Sequence, residues 1–475
     1  MMDLIDIDIK TLRNAFETGE ITSYQLVIEY FKRIAKYDKS GPYLNSVLEI
    51  NPDAIDIATA MDRERAQGKI RSPLHGVPIL LKDNINTKDK MHTSAGSMAL
   101  KNNYATYDAN IVSRIRDAGM VILGKANMTE FANFTSYEMK PGYSSRGGQV
   151  INPYNKDFNP RGSSTGSAVA VSANLCMVSM GTETSGSITY PAHNNSVVGI
   201  KPTRGLVSRY GIIPISTAQD IAGPIARTVS DAAELLNIIV GEDKEDPSTW
   251  AVNEYIPTDY TDFLINDGLK GLRIGINLGY ADDYSEEQIG IANKAFQIIR
   301  DNGATTVGNC NLPHLKCDRK VLVYEFKQCI EHYLSTCKDI ECKTLTDIIN
   351  YNNSNPRVNL KYGQTRLLDA EYNTSGTLTE PIYLLDRIEA LRISREDGLL
   401  KILNSNDLDI LVSPGVYDAS PISGYPSIVV PAGYTSDGMP FGITFVGRPF
   451  SEPLLIKAAY GFEQKCNARK PPKLV

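Results

Sequence analysis

The chain has 475 residues, which exceeds the length at which a single core usually stops growing, so we expect two domains or one large decorated domain. Its 42% hydrophobic and 22% charged residues are typical of a globular protein, and its net charge of −6 argues against a nucleic-acid-binding surface. Its start, MMDLIDIDIK, lacks the regions of a secretory signal, and no apolar run approaches the roughly 20 residues that span a bilayer. These features predict a cytoplasmic protein without a membrane or nucleic-acid partner.

The N-terminal region, residues 1–70, is predicted to be helical and to pack on the core. Residues 12–16 carry apolar side chains at helical spacing, Thr22 can cap a second helix, and Asn51 with Pro52 opens a third. We interpret these helices as packing elements, not as a site.

The middle region, residues 71–240, alternates strands with helices. Such alternation predicts an α/β layer around a largely buried sheet. The predicted elements are a strand over 79–81, a helix over 109–119, a strand over 121–123, a buried helix from residue 168 and a strand over 175–180.

The C-terminal region, residues 241–475, is predicted to complete the same domain after a charged turn at 242–247. An Asn-rich segment, 350–356 (NYNNSNP), predicts a mobile loop. The other predicted elements are strands over 272–276, 410–413, 427–431 and 442–447, and helices over 286–300, 322–337 and 452–463.

Cysteine usage leaves two interpretations open. Five of the seven cysteines fall within 310–342, near His314 and His332, which raises the question of a metal site. No CxxC pair occurs, and this spacing favours free thiols. The seven are Cys176, Cys310, Cys317, Cys329, Cys337, Cys342 and Cys466.

Two serine-rich loops, 161–167 (RGSSTGS) and 181–187 (GTETSGS), flank an apolar segment. Gly/Ser clusters usually mark turns or helix caps. However, a chain that runs loop, buried helix, strand, loop can bring its second loop back beside the first. Two serine hydroxyls could then meet.

A lysine at the end of a predicted buried strand is a candidate catalytic residue. The apolar residues 79–81 lead directly into Lys82. Lysine is seldom buried unless paired, since desolvation disfavours its charged form. A buried lysine with a lowered pKa can act as a base.

Taken together, these three segments resemble the amidase signature family of serine hydrolases. Such a co-linear set of motifs is highly specific. The matching text is 80–84 (LLKDN), 123–128 (LGKANM), 161–167, 181–187 with Pro191, 199–205 (GIKPTRG) and 220–224 (DIAGP).

The resemblance implies an α/β/α sandwich with a large twisted mixed sheet, and a site without a metal or organic cofactor. Ser187 would be the nucleophile, Ser163 the bridging serine behind a cis peptide bond, and Lys82 the base. Backbone N–H groups would converge on the oxyanion, those of Thr184, Ser185, Gly186 and Ser187.

Five positions depart from the usual family pattern, and none removes a member of the proposed triad. The departures count against the tRNA-dependent amidotransferase subunit. Residues 144–149, 181–184 and 206–214 look more like bacterial peptide amidases, which remove the terminal amide of C-terminally amidated peptides. The departures are Arg161 and Thr165 for glycines, Glu183 for aspartate, Ser185 for glycine and Thr189 for arginine.

An alternative triad would use a histidine. His193 is close to Ser187 in sequence, and residues 162–166 match GxSxG around Ser164, but Asn159–Pro160 before it is not a strand, as a nucleophile elbow requires. We therefore favour a structural or pocket role for His193. Ser164 is expected to cap a helix or to donate to the lysine or the backbone.

The sequence thus predicts an amide hydrolase that works through an acyl-enzyme on a peptide or small-molecule amide, as a monomer or homodimer. Two rivals stay open: a glutaminase subunit of a tRNA-dependent amidotransferase, and a catalytically silent scaffold. By resemblance the pocket draws on the loop 413–427 and on Phe131, Phe134, Tyr137, Tyr143 and Ser144.

Overall fold

The computed structural model describes residues 3–312, 320–417 and 419–474. Its main feature is an 11-stranded mixed sheet with helices packed on it, which confirms the predicted α/β sandwich. The strands are β1 (Val47–Ile50), β2 (Pro78–Lys82), β3 (Val121–Ala126), β4 (Tyr143–Ser144), β5 (Gly148–Gln149), β6 (Val178–Glu183), β7 (Val198–Lys201), β8 (Ile221–Ala226), β9 (Arg273–Ile276), β10 (Thr305–Val307), β11 (Ile410–Pro414), β12 (Ser427–Tyr434) and β13 (Pro440–Val446).

Helices cover and connect these strands. Within the described residues they are α1 (Ile9–Glu17), α2 (Ser23–Arg33), α3 (Ala54–Ala66), α4 (Asn110–Asp117), α5 (Thr165–Ser172), α6 (Thr189–Asn194), α7 (Val229–Ile239), α8 (Glu286–Asp301), α9 (Lys320–Thr336), α10 (Leu345–Ser354), α11 (Pro356–Asn359), α12 (Thr365–Tyr372), α13 (Pro381–Ser394), α14 (Leu400–Ser405), α15 (Ala419–Ser423) and α16 (Glu452–Cys466). None of them is long and apolar enough to cross a bilayer.

The strand order of the main sheet is β1-β3-β2-β6-β8-β7-β12-β13-β11-β9-β10, and β4 pairs only with β5. At its centre β3, β2 and β6 run parallel, while β8 is antiparallel to β6. Parallel neighbours end at the same edge of a sheet. Lys82, the last residue of β2, therefore lies beside the end of β6.

The N-terminal region contributes a strand as well as helices. β1 pairs antiparallel with β3, with Val47 opposite Ala126. Since β1 is only four residues long and half-exposed, its apolar pattern is weak, and the sequence predicted no strand there. The main sheet draws strands from residues 47–50, 78–226 and 273–446.

The predicted boundaries around the serine loops were wrong by about three residues. Helix α5 already begins at Thr165, and the predicted strand 175–180 is instead β6, which starts at Val178. Asn174 takes a positive φ of 56°, and the Leu175 N–H donates to Ala170 O, so this segment ends the helix before the strand begins. Because α5 begins at Thr165 and β6 continues to Glu183, both serine loops are shorter than predicted.

The loop predicted at 350–356 was also wrong. Helix α10 extends through most of it. A capping box between Thr344 and Asp347 starts this helix, and Leu345, Ile348 and Ile349 are buried on one face. Burial of that face outweighs the weak helix propensity of the asparagines.

Helices α9, α10 and α12 form an apolar cluster separate from the main core. Phe326 of α9 stacks on Phe134, with ring centroids 4.2 Å apart, and meets Phe131 edge to face. This cluster therefore connects the C-terminal helices to the segment that follows β3.

Gly166 in α5 packs directly against the backbone of the residues that precede β1 and follow β3. A Cβ there would lie 2.3 Å from both Asn127 O and Ser46 O.

Replacing Gly166 by alanine should lower the free energy of unfolding by about 1–3 kcal/mol, because two backbone segments must move. Gly290→Ala in α8 is the matched control, since nothing lies within 4 Å of its Cβ position and alanine should stabilise by about 0.5–1 kcal/mol. Urea unfolding measures both, and equal effects would contradict the packing argument.

Candidate active site

Lys82 is fully buried, and its amine has three oxygen neighbours. Nζ lies 2.7 Å from Ser163 Oγ, 2.8 Å from Thr182 Oγ1 and 3.0 Å from Thr182 O. Thr182 can supply two of these contacts because β6 runs parallel to β2 and ends beside it. The Asn84 side chain also donates to Thr182 Oγ1, over 3.1 Å, and holds that hydroxyl in place.

Burial lowers the pKa of Lys82 well below its ordinary value of 10.5. The carboxylates of Asp220 and Glu183 oppose this shift, and desolvation outweighs them. A neutral amine has two N–H donors and one lone pair. If both N–H groups donate to Thr182, the lone pair faces the hydroxyl of Ser163.

The two serine loops meet, as the sequence predicted. The Ser164 N–H donates to Ser187 O over 3.1 Å, and the Thr129 N–H donates to Ser163 O. Ser163 follows a cis peptide bond and is fully buried, whereas Ser187 retains 6% exposure. These contacts bring Lys82, Ser163 and Ser187 to one edge of the sheet.

Ser164 bonds to the backbone and not to the lysine. Its Oγ donates to Thr182 O and accepts from the Thr182 N–H. Although Ser164 precedes α5, its side chain makes no capping bond. It therefore fixes α5 against the end of β6.

The backbone after β6 carries unused hydrogen-bond donors. Within the described residues, no acceptor receives the N–H groups of Thr184, Ser185, Gly186 or Ser187. Asp220 holds this loop: it accepts from Thr184 Oγ1 over 2.5 Å and from the Ile215 and Ser216 N–H groups over 2.8 Å. An anion in reach of the loop would find preformed donors.

Ser187 opens into a cavity of about 160 Å³, which we call the catalytic cavity. Neither Ser163 nor Lys82 lines it, so both lie behind the exposed serine. Its walls are Thr129, Ala132, Asn133, Phe134, Pro141, Arg161, Gly162, Thr184, Ser185, Ser187, Tyr190, Ile215, Leu322 and Arg366.

A larger cavity, about 420 Å³, shares Ala132, Thr184 and Ile215 with the catalytic cavity. Ser187 lines only the smaller of these two cavities. The walls of the larger cavity include the ion pair between Arg209 and Asp246, which closes at 2.6 Å.

Four of the five departures from the family pattern contact one another in pairs. Thr189 Oγ1 donates to Glu183 Oε2 over 3.1 Å, and that oxygen also receives the Ile188 and Thr189 N–H groups. Thr165 Oγ1 donates to Arg161 O over 2.7 Å. The first of these bonds joins two replaced side chains, whereas the second uses the backbone carbonyl of Arg161.

The histidine alternative finds no support in these contacts. His193 Nδ1 lies 2.8 Å from Asn194 Oδ1, and the ring packs edge to face on Phe441. Burial lowers the pKa of His193 to about 4. In the part of the chain that the structure describes, no serine hydroxyl bonds to this ring.

Only one residue of the predicted pocket set reaches the catalytic cavity. Phe134 lines it, whereas Phe131 and Ser144 are buried elsewhere and Tyr137 is exposed. Tyr143 does not line the cavity, nor does any described residue of the loop 413–427.

Sequence reasoning missed several residues of the site. Thr182 and Asp220 stand inside motifs that were recognised, so their positions carried a signal. Leu322 and Arg366 come from α9 and α12, more than 130 residues after Ser187, and no local pattern marks them.

The described cysteines are free thiols, and five of them are buried. Among the described residues, no group of three His, Cys, Asp or Glu side chains could hold a metal ion. His314 and Cys317, from the cluster considered above, lie outside the described residues.

Comparison with known proteins gives a consistent result over the whole chain. Residues 25–424 match the family described as Amidase. A probable amidase of Arabidopsis thaliana is 43% identical over 98% of this chain and 91% of its own length. A glutamyl-tRNA(Gln) amidotransferase subunit from Exiguobacterium sibiricum is 41% identical over 66% of this chain and 62% of its own.

Solved structures agree with these sequence matches. The native peptide amidase of Stenotrophomonas maltophilia superposes with a TM-score of 0.93 and 42% identity, covering 99% of both chains. An amidase family protein of Bacillus anthracis has a TM-score of 0.95 and 39% identity, covering 99% of this chain and 93% of that one.

Replacing Lys82 by methionine should raise the free energy of unfolding more at pH 7 than at pH 9.5, because the variant has no amine whose pKa must be lowered on folding. In the wild type the unfolded chain binds a proton at Lys82 that the folded chain releases, so stability rises with pH between the lowered pKa and 10.5. The gain of the variant should accordingly shrink toward pH 10.

Urea unfolding at pH 7 and pH 9.5 checks this prediction. Lys101→Met, at an exposed position, is the matched control. A gain that does not depend on pH, or that Lys101→Met reproduces, would contradict it.

Proposed function

Because this chain belongs to the amidase signature family and is an amide-hydrolysing enzyme, we propose that it releases ammonia from C-terminally amidated peptides through a Ser-Ser-Lys triad. The observation that carries the proposal is the contact of 2.7 Å between a buried Lys82 amine and Ser163 Oγ, next to a cavity that Ser187 lines. The peptide-amide substrate is favoured by the likeness to the peptide amidase over 99% of both chains.

In the proposed first half-reaction Ser187 Oγ attacks the amide carbon. Its proton passes to Ser163 Oγ as the Ser163 proton moves to the neutral Lys82. The oxyanion that forms accepts hydrogen bonds from the N–H groups of residues 184–187, and losing one such donor commonly costs about 10²–10³ in rate. When the C–N bond breaks, the proton on Lys82 returns through Ser163 to the leaving nitrogen, and ammonia departs.

The second half-reaction repeats these transfers with water. Water attacks the ester carbon of the acyl-enzyme, and its proton follows the path through Ser163 to Lys82. Collapse of the second tetrahedral intermediate returns the proton to Ser187 Oγ and releases the carboxylic acid. No cofactor takes part in this scheme.

The two alternative functions left open by the sequence differ in whether and from which amide they release ammonia. A glutaminase subunit would release ammonia from glutamine and need a partner to use it. A silent scaffold would release none and would not react with a serine-directed fluorophosphonate.

Ser187→Ala should lower ammonia release from amidated dipeptides by about 10⁴-fold or more, because the attacking oxygen is gone. The assay uses amidated dipeptides, aliphatic and aromatic amides, and glutamine. Ser335→Ala, at an exposed serine of α9, serves as the control. Turnover of glutamine alone would favour the amidotransferase rival, and no turnover with any amide would favour the scaffold.

Thr182→Val should lower kcat by about 10–100-fold, because the amine loses the acceptor that orients its lone pair. The rate of fluorophosphonate labelling should fall in proportion, since it reports the same activation of Ser187. Thr182→Ser keeps the hydroxyl and should recover most of the loss. Equal defects in the two variants would contradict a positioning role for Thr182 Oγ1.

A further inference from the structure

The catalytic cavity is lined by two arginines and by no acidic side chain. Arg161 and Arg366 are its charged members, and the other walls are neutral. The chain as a whole carries a net charge of −6, so this positive site does not follow from a generally basic surface. Local positive charge inside a cavity favours anionic ligands.

Arg161 is held at the rim by its own backbone. Its N–H donates to Asn159 Oδ1 over 2.8 Å, and its carbonyl accepts from Thr165 Oγ1. Its φ of 55° lies in the left-handed region, which costs a non-glycine residue about 1–2 kcal/mol. The usual family pattern has glycine here, so this chain adds a guanidinium where that pattern has no side chain.

The side chain of Arg161 has an aromatic neighbour and no acidic one. Its guanidinium carbon lies 5.4 Å from the ring centre of Tyr190, another wall of the cavity. Among the described residues no carboxylate pairs with Arg161. Stacking leaves the edge of a guanidinium available for a hydrogen-bonded anion.

Arg366 enters the cavity from α12. It donates from Nη1 to Asn133 O over 2.6 Å, and its guanidinium carbon lies 4.8 Å from the ring centre of Tyr137. Asn133 is itself a wall of the cavity. The carbonyl thus anchors a second positive group beside the space that substrate must occupy.

We infer that the catalytic cavity prefers amides whose acyl part carries a carboxylate, such as an amidated peptide with an acidic residue next to the amide. This inference rests on the proposed function. Since ammonia is the leaving group, all other atoms of the substrate belong to its acyl part, and this part contacts the walls of the cavity. Guanidinium groups match carboxylates in geometry as well as charge.

The test compares kcat/KM for three acetylated dipeptide amides that end in glutamate, methionine or lysine amide. The wild type should prefer glutamate over methionine by about tenfold and methionine over lysine by a similar factor. Arg161→Gln and Arg366→Gln should each reduce the glutamate-to-methionine ratio by at least about threefold, mainly through KM. If Arg366→Gln fails to fold, Arg366→Lys replaces it: this variant keeps the charge but loses the planar guanidinium, and it should also reduce the glutamate-to-methionine ratio.

Two controls make the outcome specific. Arg63→Gln removes an exposed arginine outside the cavity and should leave the ratio unchanged. Raising the salt concentration from about 0.05 to 1 M should reduce the ratio, because the screening length falls to about 3 Å. Equal turnover of the glutamate and methionine amides would overturn the inference and leave the proposed function intact, whereas no turnover of any of the three would overturn both.

Discussion

The site depends on the burial of one amine. Lys82 lies buried at the end of β2, and the loss of hydration lowers its pKa well below the ordinary value despite the carboxylates of Asp220 and Glu183. Thr182 provides two hydrogen-bond acceptors, which compensate part of that loss and leave Ser163 as the third neighbour. The same burial that costs the fold stability therefore favours the neutral amine that the proposed mechanism uses as its base.

The sheet makes this arrangement possible because β2 and β6 are parallel neighbours and end at one edge. Helix α5 precedes β6 and runs back along it, so the loops before α5 and after β6 meet. The link from Ser164 to Ser187 and the close approach at Gly166 fix the distance between them. The Ser164–Ser187 link joins backbone to backbone, and the side chains of Ser164, Glu183 and Asp220 add further bonds that hold the two loops.

The sequence predicted the part of the site that short motifs encode. Lys82, Ser163 and Ser187 were recognised because each stands in a short motif that resembles the family pattern. The alternation of strands and helices predicted an α/β layer, and the resemblance to the family implied the sandwich. Arg366 could not be recognised, since its place in the cavity results from tertiary packing of α12. The Asn-rich segment misled the prediction because local propensity carries no information about the buried face of α10.

The separate apolar cluster of α9, α10 and α12 has a consequence for how such an enzyme can diverge. These helices supply Leu322 and Arg366 to the cavity, but their apolar cluster is distinct from the core around β2 and β6, where the proposed triad lies. A substitution there can reshape the wall that faces substrate while the catalytic edge of the sheet stays intact. Selection for a new substrate can thus act on one module, and the chemistry is inherited unchanged in the other.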